Sequence, residues 1–275
     1  MIRSSRDRPH PAVPLRIVLF ALYAASAWLM FRSITKPRLG PLAWGCTVAA
    51  IATHTEAIAR LMISLGPYSI GLLEAVSMLA WTLAVVACFI SAEPRNRAIG
   101  AILLGLAAAG ASLTGIGHTF AEETKPGWEL TAHILLSMAA AALLLAAAVT
   151  ALVLVFLDRR LRSRRVATLP TVLPPLDALE KVMFRLIGTG FVILTLALLT
   201  GFVFVTNLHA QHLEHKTILS CIAWLLFGVL LIGRVRYGWR GRPAVLWTLS
   251  GFGFLIVSYF GSKFVLEYLL GRHWG

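Results

Sequence analysis

The sequence predicts an all-α integral membrane protein, a bundle of eight transmembrane helices, on three observations. The first is composition. Of 275 residues, 58% are hydrophobic and 13% charged, with a mean hydropathy of +0.80. A soluble domain of that length could not hide so much apolar surface. The second is length, because apolar runs of about 20 residues, enough to cross the hydrocarbon core, recur along the chain. The third is pattern. The runs are apolar all round instead of alternating with polar residues, which excludes a transmembrane β-barrel.

The predicted spans are residues 14–31, 41–63, 68–91, 98–117, 129–157, 182–205, 217–233 and 243–266, forming one integral membrane domain over 1–275. The first follows a basic tail, MIRSSRDRPHP, with no small-residue cleavage pattern after the apolar run, so it reads as a retained helix. Segments two to four are separated by short polar links. The fifth is long enough to tilt or protrude. Before the sixth, PTVLPPLD (170–177) is a linker whose prolines bar a continuous helix. Two basic links then set off the last helices.

Loop charge predicts the orientation. The segments DRRLRSRR (158–165) and RVRYGWRGR (234–242) are strongly basic and belong on the cytoplasmic side. HTFAEETKPGW (118–128) and NLHAQHLEHK (207–216) then fall outside. Both termini are expected to be extracytoplasmic, although Arg3, Arg6 and Arg8 in the first tail pull the other way. A multi-pass membrane location is expected. The net charge of +13 sits in these short loops, so it reads as positive-inside bias and contact with the lipid bilayer, with no nucleic-acid partner. Cys46, Cys88 and Cys221 lie singly in apolar segments without a Cys-x-x-Cys pair, and read as small core residues.

Ionisable residues in hydrocarbon are costly and mark sites or pathways. His54, Glu56, Glu74, His133 and Lys263 lie within or at the edges of apolar segments. With the threading above, they gather toward the outer leaflet, together with His209, His212 and His215 of the sixth connection. A shared outward-facing pocket is therefore expected. Neutral imidazole is a good ligand for a transition metal or haem iron, and two histidines on separate helices can clamp an iron axially. Lys263 is placed to meet haem propionates, or to snorkel. For His54 the residues leave two readings open: a ligand, or a hydrogen-bond partner of a backbone carbonyl or of Glu74. His133 is equally readable as a hydrated interfacial side chain.

At these residues the chain resembles a known family. GPYSIGLLEAVSMLAW (66–81) resembles the Asn-Leu-Tyr-Glu-Ser-Leu stretch of cytochrome c assembly proteins of the CcsA type, with Glu74, Ser77, Leu79 and Trp81 at matching positions. WELTAHILLSMAAAALLLAA (128–147) resembles the family's helix that carries a histidine before a run of small residues. LDALEKVMFRLIGTGFVILTLALLTGFVF (176–204) and YGWRGRPAVLWTLSGFGFLIVSYFGSKFVL (237–266) are similar to its later helices. Within the family the resemblance is to the small HemX- and YpjD-like branch. It implies haem handling: His133 as the membrane histidine and an axial ligand, His54 or His215 opposite, Glu74 orienting a histidine, and Trp81 and Lys263 beside the porphyrin. It also implies apocytochrome c or other assembly proteins as partners. Where the larger family carries a tryptophan-rich WxWD motif, this chain reads NLHAQHLEHKT, which points to haem relay or presentation.

Two other classes use the same residues. A transporter for a metal ion or small solute would continue its polar pathway to the cytoplasmic face, and the inner halves of most helices lack ionisable groups. A regulatory scaffold of haem synthesis would use the basic cytoplasmic loops. No independent catalytic motif is visible, since neither His-Glu-x-x-His nor Gly-x-Ser-x-Gly occurs, and no enzymatic activity is expected.

Overall fold

The computed structural model describes residues 13–65, 72–115, 128–162, 174–204 and 214–261. Eight α-helices run through them: α1 (Val13–Thr35), α2 (Gly40–Leu65), α3 (Leu72–Ser91), α4 (Arg97–Ala111), α5 (Trp128–Arg162), α6 (Leu176–Phe204), α7 (Glu214–Tyr237) and α8 (Arg242–Ile256). A π-helical turn, Val257–Gly261, continues α8. Each predicted segment corresponds to one helix. α6 begins earlier than residue 182, because Pro174 and Pro175 stop only what precedes them and LDALEK continues directly into the apolar run.

Five helices, α1, α3, α5, α6 and α7, are long and apolar enough to cross a membrane by length and composition. The eight expected helices are all present, and these five are the ones among the described residues that meet this test. α2 carries His54, Glu56 and Arg60 in its second half.

Local chemistry sets the connections. Single 3-10 turns with proline at the first position, Pro37–Leu39 and Pro94–Asn96, reverse the chain between α1 and α2 and between α3 and α4. The α7–α8 link uses Gly238 at φ 65° and Gly241 at φ 61°, where a side chain would be strained. Such short links make sequential helices antiparallel. The starts of α3, α5 and α7 therefore share one end of the bundle, and the Arg- and Lys-rich connections share the other, here called the basic end.

The helices fall into two groups. α4 packs against α1 and α3, and α2 covers α1, whereas α5 packs against α6 and α8, and α7 lies on α8 and α6. α3 packs against α5 and joins the groups. On α2 the buried residues Ala43, Thr47, Ala50, His54 and Ala57 are spaced by four and three and form one stripe. Small residues let backbones approach, as membrane helix packing favours. A Cβ on Gly110 of α4 would lie 2.6 Å from the Ala80 Cβ of α3, and one on Gly190 of α6 would lie 2.9 Å from Leu144 of α5.

At the basic end a knot of charges closes the second group. Glu180, buried in the first turns of α6, accepts from Arg240 Nε at 3.0 Å and from the Gly241 backbone N–H at 3.1 Å. Arg240 also bonds Asp177 at 2.5 Å, and Arg234 donates to the Trp239 carbonyl at 3.1 Å while lying over the Phe184 ring. The Glu180 hydrogen bond, ahead of the charges of Glu180 and Asp177, holds the Arg240 guanidinium above its ordinary range. The α7–α8 turn is thereby pinned to α6.

Candidate functional site

Two hydrogen-bonded networks away from the basic end each hold one histidine. In the first, His54 is fully buried and reaches three other helices or their ends. Its Nδ1 is 3.2 Å from the Tyr23 hydroxyl of α1, and its Nε2 is 3.0 Å from Ser77 Oγ of α3. Ser77 Oγ is 2.7 Å from Thr114 Oγ1, just beyond α4, and Thr114 Oγ1 is 2.7 Å from the Ala111 carbonyl.

The bonding pattern fixes the protons. Thr114 gives its proton to the Ala111 carbonyl, so Ser77 donates to Thr114. Ser77 then accepts from His54 Nε2–H, which leaves Nδ1 to accept from the Tyr23 hydroxyl. Every member is buried and partnered. Arg16, on α1, donates to the Thr114 and Gly115 carbonyls at 2.9 and 2.6 Å, covering the carbonyl end of α4. His54 thus has both nitrogens in use and ties α1, α2, α3 and the end of α4 together. Of its two open readings this is the structural one, with Tyr23 and Ser77 as partners in place of a backbone carbonyl or Glu74.

Glu74 lies in the first turn of α3, one turn before Ser77 and buried to 1% exposure. Neither carboxylate oxygen has a hydrogen-bond partner. Among the described residues Glu74 makes no hydrogen bond to a histidine. Glu56, by contrast, is exposed and pairs with Arg60 one turn on, so it belongs to no interior site. Trp81 donates through Nε1 to Thr55 Oγ1 at 2.9 Å, which pins α3 to α2.

The second network centres on His133, half-buried near the start of α5. Its Nδ1 is 3.1 Å from Thr200 Oγ1 near the end of α6, and Thr200 Oγ1 is 2.9 Å from the Ala197 carbonyl. Gly201 backs the ring: a Cβ there would lie 3.1 Å from His133 Cε1. The ring also hydrogen-bonds the Ala197 backbone. One turn further along α5, Ser137 hydrogen-bonds Tyr259 of the π-helical turn.

Both networks sit in the half of the bundle away from the basic end, yet they share no residue. The expected single pocket is replaced by one network in each helix group. His215 is in the first turn of α7, at the His133 end of the bundle; its side chain, together with Lys263, His209 and His212, lies outside the described residues. The cysteines are free thiols, half-buried, as expected for packing residues. Tyr23, Thr114, Arg16 and Thr200 were not singled out from sequence, where an isolated hydroxyl or a terminal arginine carries no signal. No cluster of three or more His, Cys, Asp or Glu side chains suited to a bare metal ion occurs among the described residues.

Fold and site define a polytopic helical membrane protein with imidazoles held inside its bundle. Residues 48–270 match the family model described as cytochrome C assembly protein, and the chain belongs to that family. It is 38% identical over 145 residues to the inner membrane protein YpjD of Escherichia coli K12, covering 53% of this chain and 54% of that one. It is 31% identical over 237 residues to a 28.8 kDa protein encoded in a nifR3-like 5' region of Azospirillum brasilense, covering 84% and 83%. It is 34% identical over 108 residues to the cytochrome c biogenesis protein CcsA of Synechococcus elongatus, covering 38% and 33%. The chain thus spans about half the length of YpjD and a third of that CcsA. No solved structure matches it.

Proposed function

We propose that this protein binds haem at the extracytoplasmic side of a bacterial inner membrane and relays or presents it during cytochrome c assembly. The carrying observation is His133: within the family-matched region, it is half-buried at the end opposite the basic loops, its ring held from one side by Thr200. His133 would hold the haem iron through an imidazole nitrogen, and the haem would supply redox chemistry. His215, in the first turn of α7 at the same end of the bundle, is the second residue we assign to hold it.

The location agrees with the five helices apolar enough to span a membrane and with the inner-membrane relative. The positive-inside rule places the basic end in the cytoplasm and both termini outside. We assign the protein no catalytic cycle of its own, and apocytochrome c or other assembly proteins as partners. The transporter and scaffold readings are not favoured by the family match.

Absorption spectra and a haemochrome assay on protein purified in mild detergent test the proposal. Wild type and His54→Asn are expected to carry haem, the latter at lower yield, and His133→Ala to lose most of it. Haem-free wild type, or full haem content in both His133→Ala and His215→Ala, refutes it.

A further inference from the structure

Thr200 and Gly201 lie on α6, one beside and one behind the His133 imidazole of α5. The Thr200 hydroxyl is 2.9 Å from the carbonyl of Ala197, three residues back, a bond that threonine commonly makes in a helix. A hydroxyl has one proton, and this bond uses it. With that proton used, the contact to His133 Nδ1 at 3.1 Å is one in which the ring donates, and the ring also hydrogen-bonds the Ala197 backbone. The imidazole is thereby held with its proton on Nδ1 and its lone pair on Nε2, the form that ligates a metal. His54 is held the opposite way, with Nε2–H donating to Ser77.

Gly201 supplies the space. With any larger residue, Cβ would come within 3.1 Å of Cε1, and the ring would have to shift by a few tenths of an ångström. Threonine and glycine in succession therefore set both the proton position and the place of the ring.

We propose that Thr200 and Gly201 are positioning residues for His133, the first fixing its Nδ1–H tautomer and the second admitting the ring, so that Nε2 is kept for a ligand. The inference rests on the haem reading only for the identity of that ligand, because the tautomer is a property of the haem-free chain.

Histidine-labelled, haem-free protein in detergent micelles gives the tautomer directly from nitrogen-15 spectra, with His133→Ala assigning the signal. Wild type and Thr200→Ser are expected to show protonated Nδ1 and bare Nε2, and Thr200→Val to lose that preference. In haem titrations Thr200→Val is expected to bind about 10- to 100-fold more weakly, with rescue by Thr200→Ser. Gly201→Ala should keep the tautomer and alter the haem spectrum. Protonated Nε2 in the wild type, or an unchanged His133 signal in Thr200→Val, overturns the role of Thr200. A wild-type haem spectrum and affinity in Gly201→Ala overturns that of Gly201. Should wild type bind no haem through His133, the functional reading falls, and the nitrogen spectra still decide the tautomer.

Discussion

Replacing Tyr23 by Phe removes one hydroxyl from a buried chain and leaves His54 Nδ1 as an acceptor without a donor. Ser77→Ala strands the other side of the same ring, with Nε2–H losing its acceptor at 3.0 Å. A buried polar group left unpaired costs about 1–3 kcal/mol. Interhelical hydrogen bonds in membranes average nearer 0.6 kcal/mol, because the unfolded chain in the bilayer also finds partners. The two ranges meet at about 1 kcal/mol for each substitution, or a fall in Tm of about 2–4 °C. The double variant decides the matter. Once Ser77 is gone, Nε2 can turn to Thr114 Oγ1, 3.5 Å away. The ring is freer to do so when Tyr23 no longer holds Nδ1. The two losses should therefore fall short of additive by about 0.5 kcal/mol or more. Thermal unfolding in detergent, followed by labelling of the half-buried Cys46, Cys88 and Cys221, supplies the readout. Single variants as stable as wild type, or strictly additive losses, would refute a directional chain through His54.

Two further substitutions probe the scaffold. Gly110→Ala drives a methyl group against Ala80 of the neighbouring helix and should cost about 1–3 kcal/mol. Ala80→Gly in the same chain should recover much of the loss in the same assay, and no recovery would show that the clash is not between these two atoms. Glu180→Ala leaves the Gly241 N–H without its acceptor and removes one of the partners of Arg240 and Arg234 at the basic end. The expected cost is about 1–2 kcal/mol, with faster hydrogen exchange confined to the α7–α8 turn. Exchange spread over the whole bundle would contradict a local latch.

The helices were legible because their signal is local. Twenty apolar residues in a row need no neighbour to declare themselves, and Pro37, Pro94 and the glycines near α8 mark the links. The site was legible only in part, because burial depends on how each helix is rotated against others. Glu56 and Glu74 look alike as glutamates in apolar surroundings, yet one faces outward and the other is sealed inside. A sequence signal did exist for Glu56, since Arg60 stands four residues on and completes a helical ion pair. Nothing comparable betrayed Tyr23, Thr114 or Thr200. Their importance lies in a proton given to a carbonyl, which fixes what the neighbouring imidazole can do. His54 and His133 were grouped by depth, and both lie in the half of the bundle away from the basic end. The side on which each turns was settled by α1 and α4 for one and by α6 for the other.

The family match begins at residue 48, inside α2, whereas Arg16 and Tyr23 stand on α1, well before it. Part of what ties the first helix group together therefore lies before the matched stretch. A fragment cut at the edge of the matched region would expose the stripe of Ala50, His54 and Ala57 to lipid and leave the last carbonyls of α4 uncovered. Anyone trimming or transplanting the protein should carry α1 along as its outer stave, however ordinary that helix looks by itself.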